Sequence, residues 1–408
     1  MPPTSPSTRS TWDCWLAAAL LVTILIYWVY FATLGFGSSV DTYGMLHSWD
    51  AMHTQGVYIA SRFQGYLIPE LALGFFAENF GHLGSNLLVL VISCSALAFA
   101  YGTIAAVAGQ RQALFAVLFI AANPYWSVSA AETTDFLFPQ LFFMMGIFFL
   151  RHSLPVLAAI AFACATSSRL PFGPMGLGAL AVYGWLVWND NVRRRSLLEA
   201  MAAFLLLCSL FYLPVFIASK LSLSFLTAAQ PHNNGLAARL ARFSYKHIML
   251  FGWGGSAALA AVFATAIARL HRQHKAGVVF TKPQRIAVLS ALLIIGFSWA
   301  VFFGLPARIH YLLPVVGASA LLLALCLRSR WIWLGLVALE LLTWQVQPDV
   351  IEVTYEVQRG LCDKFGVTPN GMHLRLHLKP GVLKEEMEAI PQVDGCLHEQ
   401  YELPKSYR

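Results

Sequence analysis

The sequence WDCWLAAALLVTILIYWVYFATL (residues 12–34) leads directly into GFGSSVDTYGMLHSWDAM (residues 35–52). The first stretch is mostly apolar and long enough to cross a hydrocarbon layer, which takes roughly 20 residues of α-helix. The second stretch carries two carboxylates, Asp41 and Asp50, as soon as the apolar run ends. This junction predicts a membrane-spanning helix followed by a polar, carboxylate-bearing segment at the membrane surface.

The whole chain has the composition of a membrane protein with several spans. Of its 408 residues, 58% are hydrophobic and only 12% are charged, whereas soluble proteins average about 25% charged residues. Apolar stretches recur from residue 12 to about residue 347. The first stretch lacks a small-residue cleavage site and is long for a signal peptide, so we predict a retained span preceded by a short tail, residues 1–10.

The net charge of +7 reflects membrane topology and not nucleic-acid binding. Residues 1–346 contain 20 Lys and Arg against 10 Asp and Glu, and the tail from residue 347 contains 7 against 10. Most basic residues of the membrane part lie in short links between apolar stretches, and short loops rich in Lys and Arg stay in the cytoplasm. The cytoplasmic positions are Arg9, Arg111, Arg151, Arg193, Arg194, Arg195, Arg269, Arg272, Lys275, Lys282, Arg285, Arg328 and Arg330.

This orientation predicts eleven crossings, with the N-terminus inside and the C-terminus outside. The predicted spans are residues 12–34, 83–107, 112–128, 136–150, 154–168, 174–188, 197–218, 247–268, 286–304, 311–327 and 331–347. The external loops are then residues 35–82, 129–135, 169–173, 219–246 and 305–310. We therefore expect an all-α polytopic membrane domain over residues 1–347 and an external C-terminal domain over residues 348–408.

Charges of both signs gather on the predicted external side. The acidic residues there are Asp41, Asp50, Glu70, Glu78, Glu132 and Asp135, and the basic ones are Arg62, Arg169, Lys220, Arg239, Arg242, Lys246 and Arg308. Charged side chains at membrane depth are costly and are usually paired or functional. For any one residue an ordinary polar loop is an equally good interpretation, but the group as a whole predicts a site.

The first external loop, residues 35–82, mixes aromatic, apolar and polar residues in the way of helices lying at the membrane surface. Gly56, Gly65 and Pro69 predict breaks in it. Asp41 and Asp50 are nine residues apart, so on one helix they point in opposite directions, since each residue turns the helix by roughly 100°. A site that pairs these two carboxylates is therefore disfavoured, and one of them is expected to face the site.

Three segments resemble the GT-C class of integral-membrane glycosyltransferases. Asp41, followed by GVYIASRFQGYLIPE (residues 56–70), looks like the first external loop of that class. NPYWSVSAAETTDF (residues 123–136) resembles its second, acidic loop, and GLPARIHYLLP (residues 304–314) resembles a segment that opens a late span in several such enzymes. The resemblance extends over residues 12 to 330 and does not include the C-terminal tail.

The resemblance implies transfer of a sugar from a polyprenyl-phosphate-linked donor to an acceptor hydroxyl outside the membrane. Asp41 matches the catalytic aspartate of the class by position and is the candidate general base, with Asp50 as the alternative. Fixed cations near the membrane surface would stabilise the leaving lipid phosphate. The candidates for this phosphate site are Arg62, Arg169, Arg308, His310, Tyr311 and Lys246. We expect a bacterial inner-membrane enzyme with its site on the periplasmic face, in contact with membrane lipid; its acceptor is left open.

Glu132 and Asp135, together with Asp41, are candidate ligands for a divalent cation or candidates for the acceptor site. Hard cations prefer oxygen ligands and can bridge protein and phosphate. Some GT-C families depend on a metal and others do not, and this sequence has no dense run of carboxylates. We therefore expect no required cofactor, and the external histidines lack the spacing of zinc ligands.

The predicted external tail contains two of the seven cysteines, Cys362 and Cys396. An even pair in an oxidising compartment predicts a disulfide. MHLRLHLKPG (residues 372–381) alternates like a strand and VLKEEMEAI (residues 382–390) resembles a short helix, so a small α+β domain is expected.

Two other classes of protein fit the composition. A transporter or lipid flippase also needs a polar cavity among helices, but no internal repeat is visible and the polar residues gather at one face of the membrane. A ligase or polymerase of envelope glycans with lipid-diphosphate donors would depend on the arginines and need no aspartate base. Glu340, the carboxylate within the last predicted span, is interpreted as a hydrogen-bonded structural residue.

Overall fold

A computed structural model describes residues 8–62, 64–223, 236–275, 281–304, 309–357 and 367–400. The helices of the membrane part are α1 (Thr8–Phe31), α2 (Val40–Gln55), α3 (Leu67–Ala108), α4 (Gln110–Ala122), α5 (Pro124–Ala131), α6 (Leu137–Arg151), α7 (Pro155–Ser168), α8 (Phe172–Val187), α9 (Asn191–Ala218), α10 (Leu236–Lys275), α11 (Lys282–Gly304), α12 (Leu313–Cys326) and α13 (Arg330–Gln345). A short 3-10 turn, Ile309–Leu312, precedes α12. The protein is thus an all-α, multi-pass membrane protein, as its composition predicts.

Each of the eleven predicted spans overlaps an observed helix, but the helices differ in length. Six of the described helices are long and apolar enough to cross a membrane, and the count becomes seven if the bent pair α4 and α5 forms one span. Helices α6, α7 and α8 contain 14 to 16 residues, which at about 1.5 Å per residue is less than the roughly 30 Å of a hydrocarbon core. The number of crossings therefore stays a prediction.

The first external loop forms more helix than the sequence analysis predicted. Helix α2 ends where expected, because Gly56 adopts the left-handed conformation (φ 66°) that terminates helices. Helix α3 then begins at Leu67, so the predicted break at Pro69 is wrong. Proline is tolerated in the first turn of a helix, where its missing N–H is not needed. The helix continues to residue 108 across a kink at Gly81 (φ 63°), just before the predicted start of the span at residue 83.

Two further helices change direction on the side predicted to be external. Helices α4 and α5 meet at Asn123 with a bend of 73°, so the last residues of the span predicted over 112–128 leave its line. Asn123 caps α5 by accepting the backbone N–H of Trp126, and Pro124 occupies the first turn. Helix α10 is kinked at Gly252, where an added Cβ would lie 2.6 Å from Oγ1 of Thr343. At both breaks the chain turns away from the axis of the preceding helix.

The C-terminal part is a β-hairpin followed by a helix. Strand β1 (Val346–Val357) pairs antiparallel with β2 (Val367–Pro380), and α14 (Val382–Gln400) follows. Helix α14 buries Leu383 and Ile390 and packs against α5 and α13. Its Met387 sulfur accepts a hydrogen bond from the Tyr27 hydroxyl at 2.7 Å. Cys362 and the side chain of Cys396 lie outside the described residues, so their disulfide stays a prediction.

Candidate active site

Four charged side chains from three of the predicted external loops form one chain of ion pairs, called here the outer cluster: Asp41, Arg62, Asp135 and Arg169. The Arg62 Nη2 atom lies 2.8 Å from Asp41 Oδ2 and 3.3 Å from Asp135 Oδ1. Arg169 binds the same Asp135 with two bonds, from Nε to Oδ2 at 2.8 Å and from Nη2 to Oδ1 at 3.0 Å. The cluster therefore joins residues from the two acidic loops that the sequence analysis had singled out.

Burial distinguishes the two aspartates of the outer cluster. The Asp135 side chain is 0% exposed and both of its oxygens are bound by guanidinium groups, whereas the Asp41 side chain is 20% exposed. Burial alone would raise the pKa of the Asp135 carboxyl, but the adjacent Arg169 and Arg62 more than offset this, so that its pKa lies below its usual value. Asp135 is thus a fixed anion that orients the arginines, and Asp41 is the carboxylate closer to solvent.

Asp135 is held in place by the short loop between α5 and α6. The backbone N–H of Thr133 donates to the carbonyl of Phe36 at 2.9 Å, and the Thr133 carbonyl accepts from the Thr42 hydroxyl at 2.6 Å. The Thr133 hydroxyl donates to Asn86 Oδ1 at 2.6 Å, while the Asn86 amide donates to two carbonyls at the end of the first span. These bonds tie the second acidic loop to the segment that carries Asp41.

Arg62 lies in the segment between α2 and α3, which folds around the buried carboxylate of Glu70. This carboxylate accepts the Tyr58 hydroxyl at 2.7 Å, the Ser61 N–H at 3.0 Å and the Tyr66 N–H at 3.2 Å, and it also accepts the Ser61 hydroxyl. Gly65 completes the turn with a positive φ of 65° and donates its N–H to the Arg62 carbonyl at 2.8 Å. The position of Arg62 is therefore set by local backbone geometry as well as by its ion pairs.

Aromatic rings surround the two guanidinium groups. The Arg169 carbon Cζ lies 4.1 Å from the Phe136 ring centre, 5.3 Å from that of Tyr311 and 5.6 Å from that of Tyr66. Arg62 lies 5.2 Å from the same Tyr66 ring. His310 stacks on Phe136 with ring centres 4.0 Å apart. The rings exclude water from the arginines and strengthen their interaction with any anion that reaches them.

A small cavity adjoins Arg169. Its polar lining comes from Arg169, His310, Tyr311, Gln140 and Ser298. The Ser298 hydroxyl is fully buried and has no hydrogen-bond partner among the described residues. The cavity thus offers a cation and several uncharged hydrogen-bonding groups to one ligand.

A second, larger cavity lies between α3, α6, α11 and α12. Most of its lining is apolar, with Ile104, Phe143 and Ile294 among the contributing residues. Gln140 and Pro314 line both cavities, so the cavity at Arg169 and the second cavity share a wall.

The other predicted residues lie at different places. Asp50 is on α2 as predicted, and its carboxylate forms no ion pair among the residues that the structure describes. Glu132 is buried against Gly37, where an added Cβ would come within 3.0 Å of Glu132 Oε2. Lys246 lies on α10 with its ammonium 5.2 Å from the ring centre of Tyr245. Arg308 is outside the described residues.

No group of three or more His, Cys, Asp or Glu side chains in the described parts of the chain is arranged to hold a metal ion. Within the outer cluster, the carboxylates of Asp41 and Asp135 are bound by arginines. Sequence reasoning missed Gln140 and Ser298, although Gln140 is the only uncharged polar side chain of α6. An isolated amide in an apolar helix was the available signal for Gln140; nothing comparable marked Ser298.

The structure resembles that of ArnT from Cupriavidus metallidurans, both bound to undecaprenyl phosphate and in the apo state. Both comparisons have a TM-score of 0.59 and 16% sequence identity and cover 76% of this chain. They cover 60% and 59% of the ArnT chain. The arabinosyltransferase EmbB from Mycobacterium smegmatis matches with a TM-score of only 0.46, over 75% of this chain and 30% of that chain.

No protein-family model matches the sequence, and the search of curated proteins finds no match. The likeness to ArnT extends over three quarters of this chain but less than two thirds of ArnT itself. The chain therefore has the GT-C fold that the sequence resemblance predicted.

Proposed function

We propose that the protein is a GT-C-type glycosyltransferase that moves a sugar from a polyprenyl-phosphate-linked donor to an acceptor on the external face of the membrane. The observation that carries this proposal is the outer cluster, in which a partly exposed carboxylate lies with the partly buried Arg62 and the buried Arg169, and Arg169 also lines a cavity. In a bacterium this face of the inner membrane would be the periplasmic one.

The two neighbouring cavities support a lipid-phosphate donor. Arg169 lines the smaller cavity, and a guanidinium binds phosphate through paired charge-assisted hydrogen bonds. His310 and Tyr311 lie on the same wall. The adjoining apolar cavity would accept the first part of an isoprenoid tail. ArnT, whose fold this chain shares, has been solved with undecaprenyl phosphate bound.

The chemistry requires a base and an electrostatic support for the leaving group. We assign Asp41 as the base, because Asp135 is fully buried with both oxygens bound to arginines. Asp41 takes the proton of the acceptor hydroxyl as that oxygen attacks the anomeric carbon. The bond from this carbon to the phosphate oxygen breaks, the electron pair leaves with the lipid phosphate, and Arg62 and Arg169 stabilise the resulting negative charge.

The proposal is tested by the release of polyprenyl phosphate from a panel of undecaprenyl-phosphate-linked pentoses and hexoses, using the full chain in proteoliposomes. Asp41→Asn should lower the release rate by about 10²- to 10⁴-fold, the usual contribution of a general base. Asp50→Asn, nine residues further along the same helix, is the matched control and should retain the wild-type rate. Release should also persist in EDTA, since arginines are proposed to support the phosphate.

Two results would contradict the proposal in different ways. Wild-type activity in Asp41→Asn combined with loss in Arg169→Ala would favour the ligase or polymerase with a lipid-diphosphate donor. Binding of undecaprenyl phosphate to neither wild type nor variants would remove the lipid-linked donor altogether.

A further inference from the structure

The Glu70 carboxylate is a buried charged group that the proposed reaction does not use. It is fully buried and accepts four hydrogen bonds from three residues, Tyr58, Ser61 and Tyr66. Among the described residues no Lys, Arg or His lies within ion-pair distance of it. The free-energy cost of burying this carboxylate is therefore offset by its hydrogen bonds and by its position in the first turn of α3.

The donors to Glu70 lie on both sides of Arg62 in the sequence. Ser61 directly precedes Arg62 and donates both its N–H and its hydroxyl, and Tyr66 follows four residues later and donates its N–H. The segment between them is a tight turn closed by the bond from the Gly65 N–H to the Arg62 carbonyl. The Glu70 carboxylate thus fixes the backbone on both sides of Arg62. From this backbone the Arg62 side chain contacts both Asp41 and Asp135.

We propose that Glu70 is a positioning residue that acts through Arg62, holding its guanidinium between the candidate base and the buried Asp135. The inference rests on the proposed function, because it assigns Arg62 to the site of the donor phosphate. Glu70 has no exposed oxygen with which to meet an acceptor. Its role is therefore to fix the geometry of another residue and not to move a proton itself.

Two substitutions distinguish a positioning role of Glu70 from a role in proton transfer. Glu70→Gln retains one carbonyl oxygen for the Ser61 and Tyr66 N–H groups, and the Tyr58 hydroxyl can rotate to accept from the new amide. Glu70→Leu leaves both buried N–H groups without an acceptor. The dissociation constant of undecaprenyl phosphate, measured on the full chain in detergent, should rise about tenfold in Glu70→Leu and by less than about twofold in Glu70→Gln.

The matched control is Glu78, two turns further along α3. Its carboxylate also binds two side chains, Trp49 at 2.8 Å and His53 at 2.9 Å, but it makes no contact with the Arg62 segment among the described residues. Glu78→Leu should leave the dissociation constant within about twofold of wild type. The rate of polyprenyl phosphate release should decrease in the same order. A misplaced Arg62 weakens donor binding and also stabilises the transition state less.

A double-mutant cycle with Arg62→Ala provides the decisive measurement. If Glu70 acts through Arg62, Glu70→Leu should add less than about twofold to the defect of Arg62→Ala, whereas independent effects would multiply. A full tenfold additional loss would overturn the proposal, and so would equal loss of sugar release in Glu70→Gln and Glu70→Leu, which would make Glu70 a proton-transfer group. If Glu70→Leu does not fold, Tyr58→Phe, which removes a single donor, takes its place and should weaken binding about threefold.

The inference also has a readout that does not depend on the lipid donor. If wild type fails to bind undecaprenyl phosphate, the proposed function fails, and hydrogen exchange then decides the role of Glu70. Amides of residues 58–66 should exchange faster in Glu70→Leu, or in Tyr58→Phe, while those of α2 (residues 40–55) keep their protection. Unchanged protection of residues 58–66 would overturn the positioning role.

Discussion

Two clusters of aspartate and arginine lie at opposite ends of the first membrane span and use the same ion-pair chemistry. The outer cluster, Asp41, Arg62, Asp135 and Arg169, lies beyond the end of α1 that is predicted to be external. An inner cluster of Asp13, Arg111 and Arg330 lies at the end that is predicted to be cytoplasmic. Asp13 Oδ2 is 2.6 Å from Arg111 and Asp13 Oδ1 is 2.7 Å from Arg330.

The two clusters differ in what their arginines face. Those of the inner cluster lie at helix ends and are 31% and 37% exposed, and Arg111 also donates to the Arg328 carbonyl. They join α1, α4 and α13 side by side, which is a structural role. The arginines of the outer cluster lie among aromatic rings and are less exposed, at 16% and 5%, and Arg169 lines a cavity. An arginine–aspartate pair therefore does not by itself indicate a site; the adjoining cavity and the partly exposed second carboxylate do.

Removing the central carboxylate, Asp135 or Asp13, should produce the largest difference between the two clusters in stability and in activity. Asp135→Ala would leave Arg169 buried without an anion and Arg62 with Asp41 alone, and breaking a buried pair costs about 3–5 kcal/mol. Asp13→Ala should cost only about 1 kcal/mol, because water reaches the arginines of the inner cluster. The free energies of unfolding follow from denaturant titration in detergent, and sugar release per folded molecule should disappear only in Asp135→Ala. An equal loss of polyprenyl phosphate release in Asp135→Ala and Asp13→Ala would mean that the two clusters do not differ in function.

A smaller effect is expected when arginine is replaced by lysine. Arg169 binds Asp135 with two parallel bonds and lies among three rings, and lysine reproduces neither arrangement. We expect Arg169→Lys to weaken undecaprenyl phosphate binding about tenfold, in line with the loss of a bidentate contact of 1–3 kcal/mol. Arg330 makes a single bond to Asp13, so Arg330→Lys should change the binding by less than about twofold. A comparable loss in both variants would mean that the outer arginine acts on overall stability and not on the donor.

The contrast between the clusters also shows what a sequence can predict. The positions of the apolar helices followed from composition, and the end of α2 followed from Gly56, because both depend on residues that are close in the chain. The opposite directions of Asp41 and Asp50 followed from helical geometry in the same way. The two acidic loops were recognised by resemblance to a family.

The pairing within the outer cluster could not be predicted in the same manner. Asp135 and Arg169 are 34 residues apart, and Arg62 and Asp135 are 73 residues apart. Their contacts depend on how α6 packs against α3 and α7, which no local pattern encodes. The bend at Asn123 was missed for a related reason, since hydrophobicity continues through Pro124 into α5 and gives no sign that the helix changes direction.

The smallest expected effect is a dependence of stability on pH that belongs to Asp135. Its pKa in the folded protein lies below the value of about 3.9 expected in the unfolded chain. The folded state therefore binds fewer protons than the unfolded state near pH 4, and the stabilisation is complete above the unfolded pKa and is lost as pH falls through the folded one. Between pH 5 and pH 8 this carboxyl should contribute no slope, and below about pH 4 stability should fall with falling pH, with a slope of at most about 1.4 kcal/mol per pH unit. In denaturant titrations, wild type should be more stable than Asp135→Asn by a constant amount above about pH 5, and this difference should shrink as pH falls through the acid range. If the pH dependence of stability in acid is the same in Asp135→Asn as in wild type, another carboxyl dominates it. The two arginines then do not lower the pKa of Asp135 as proposed.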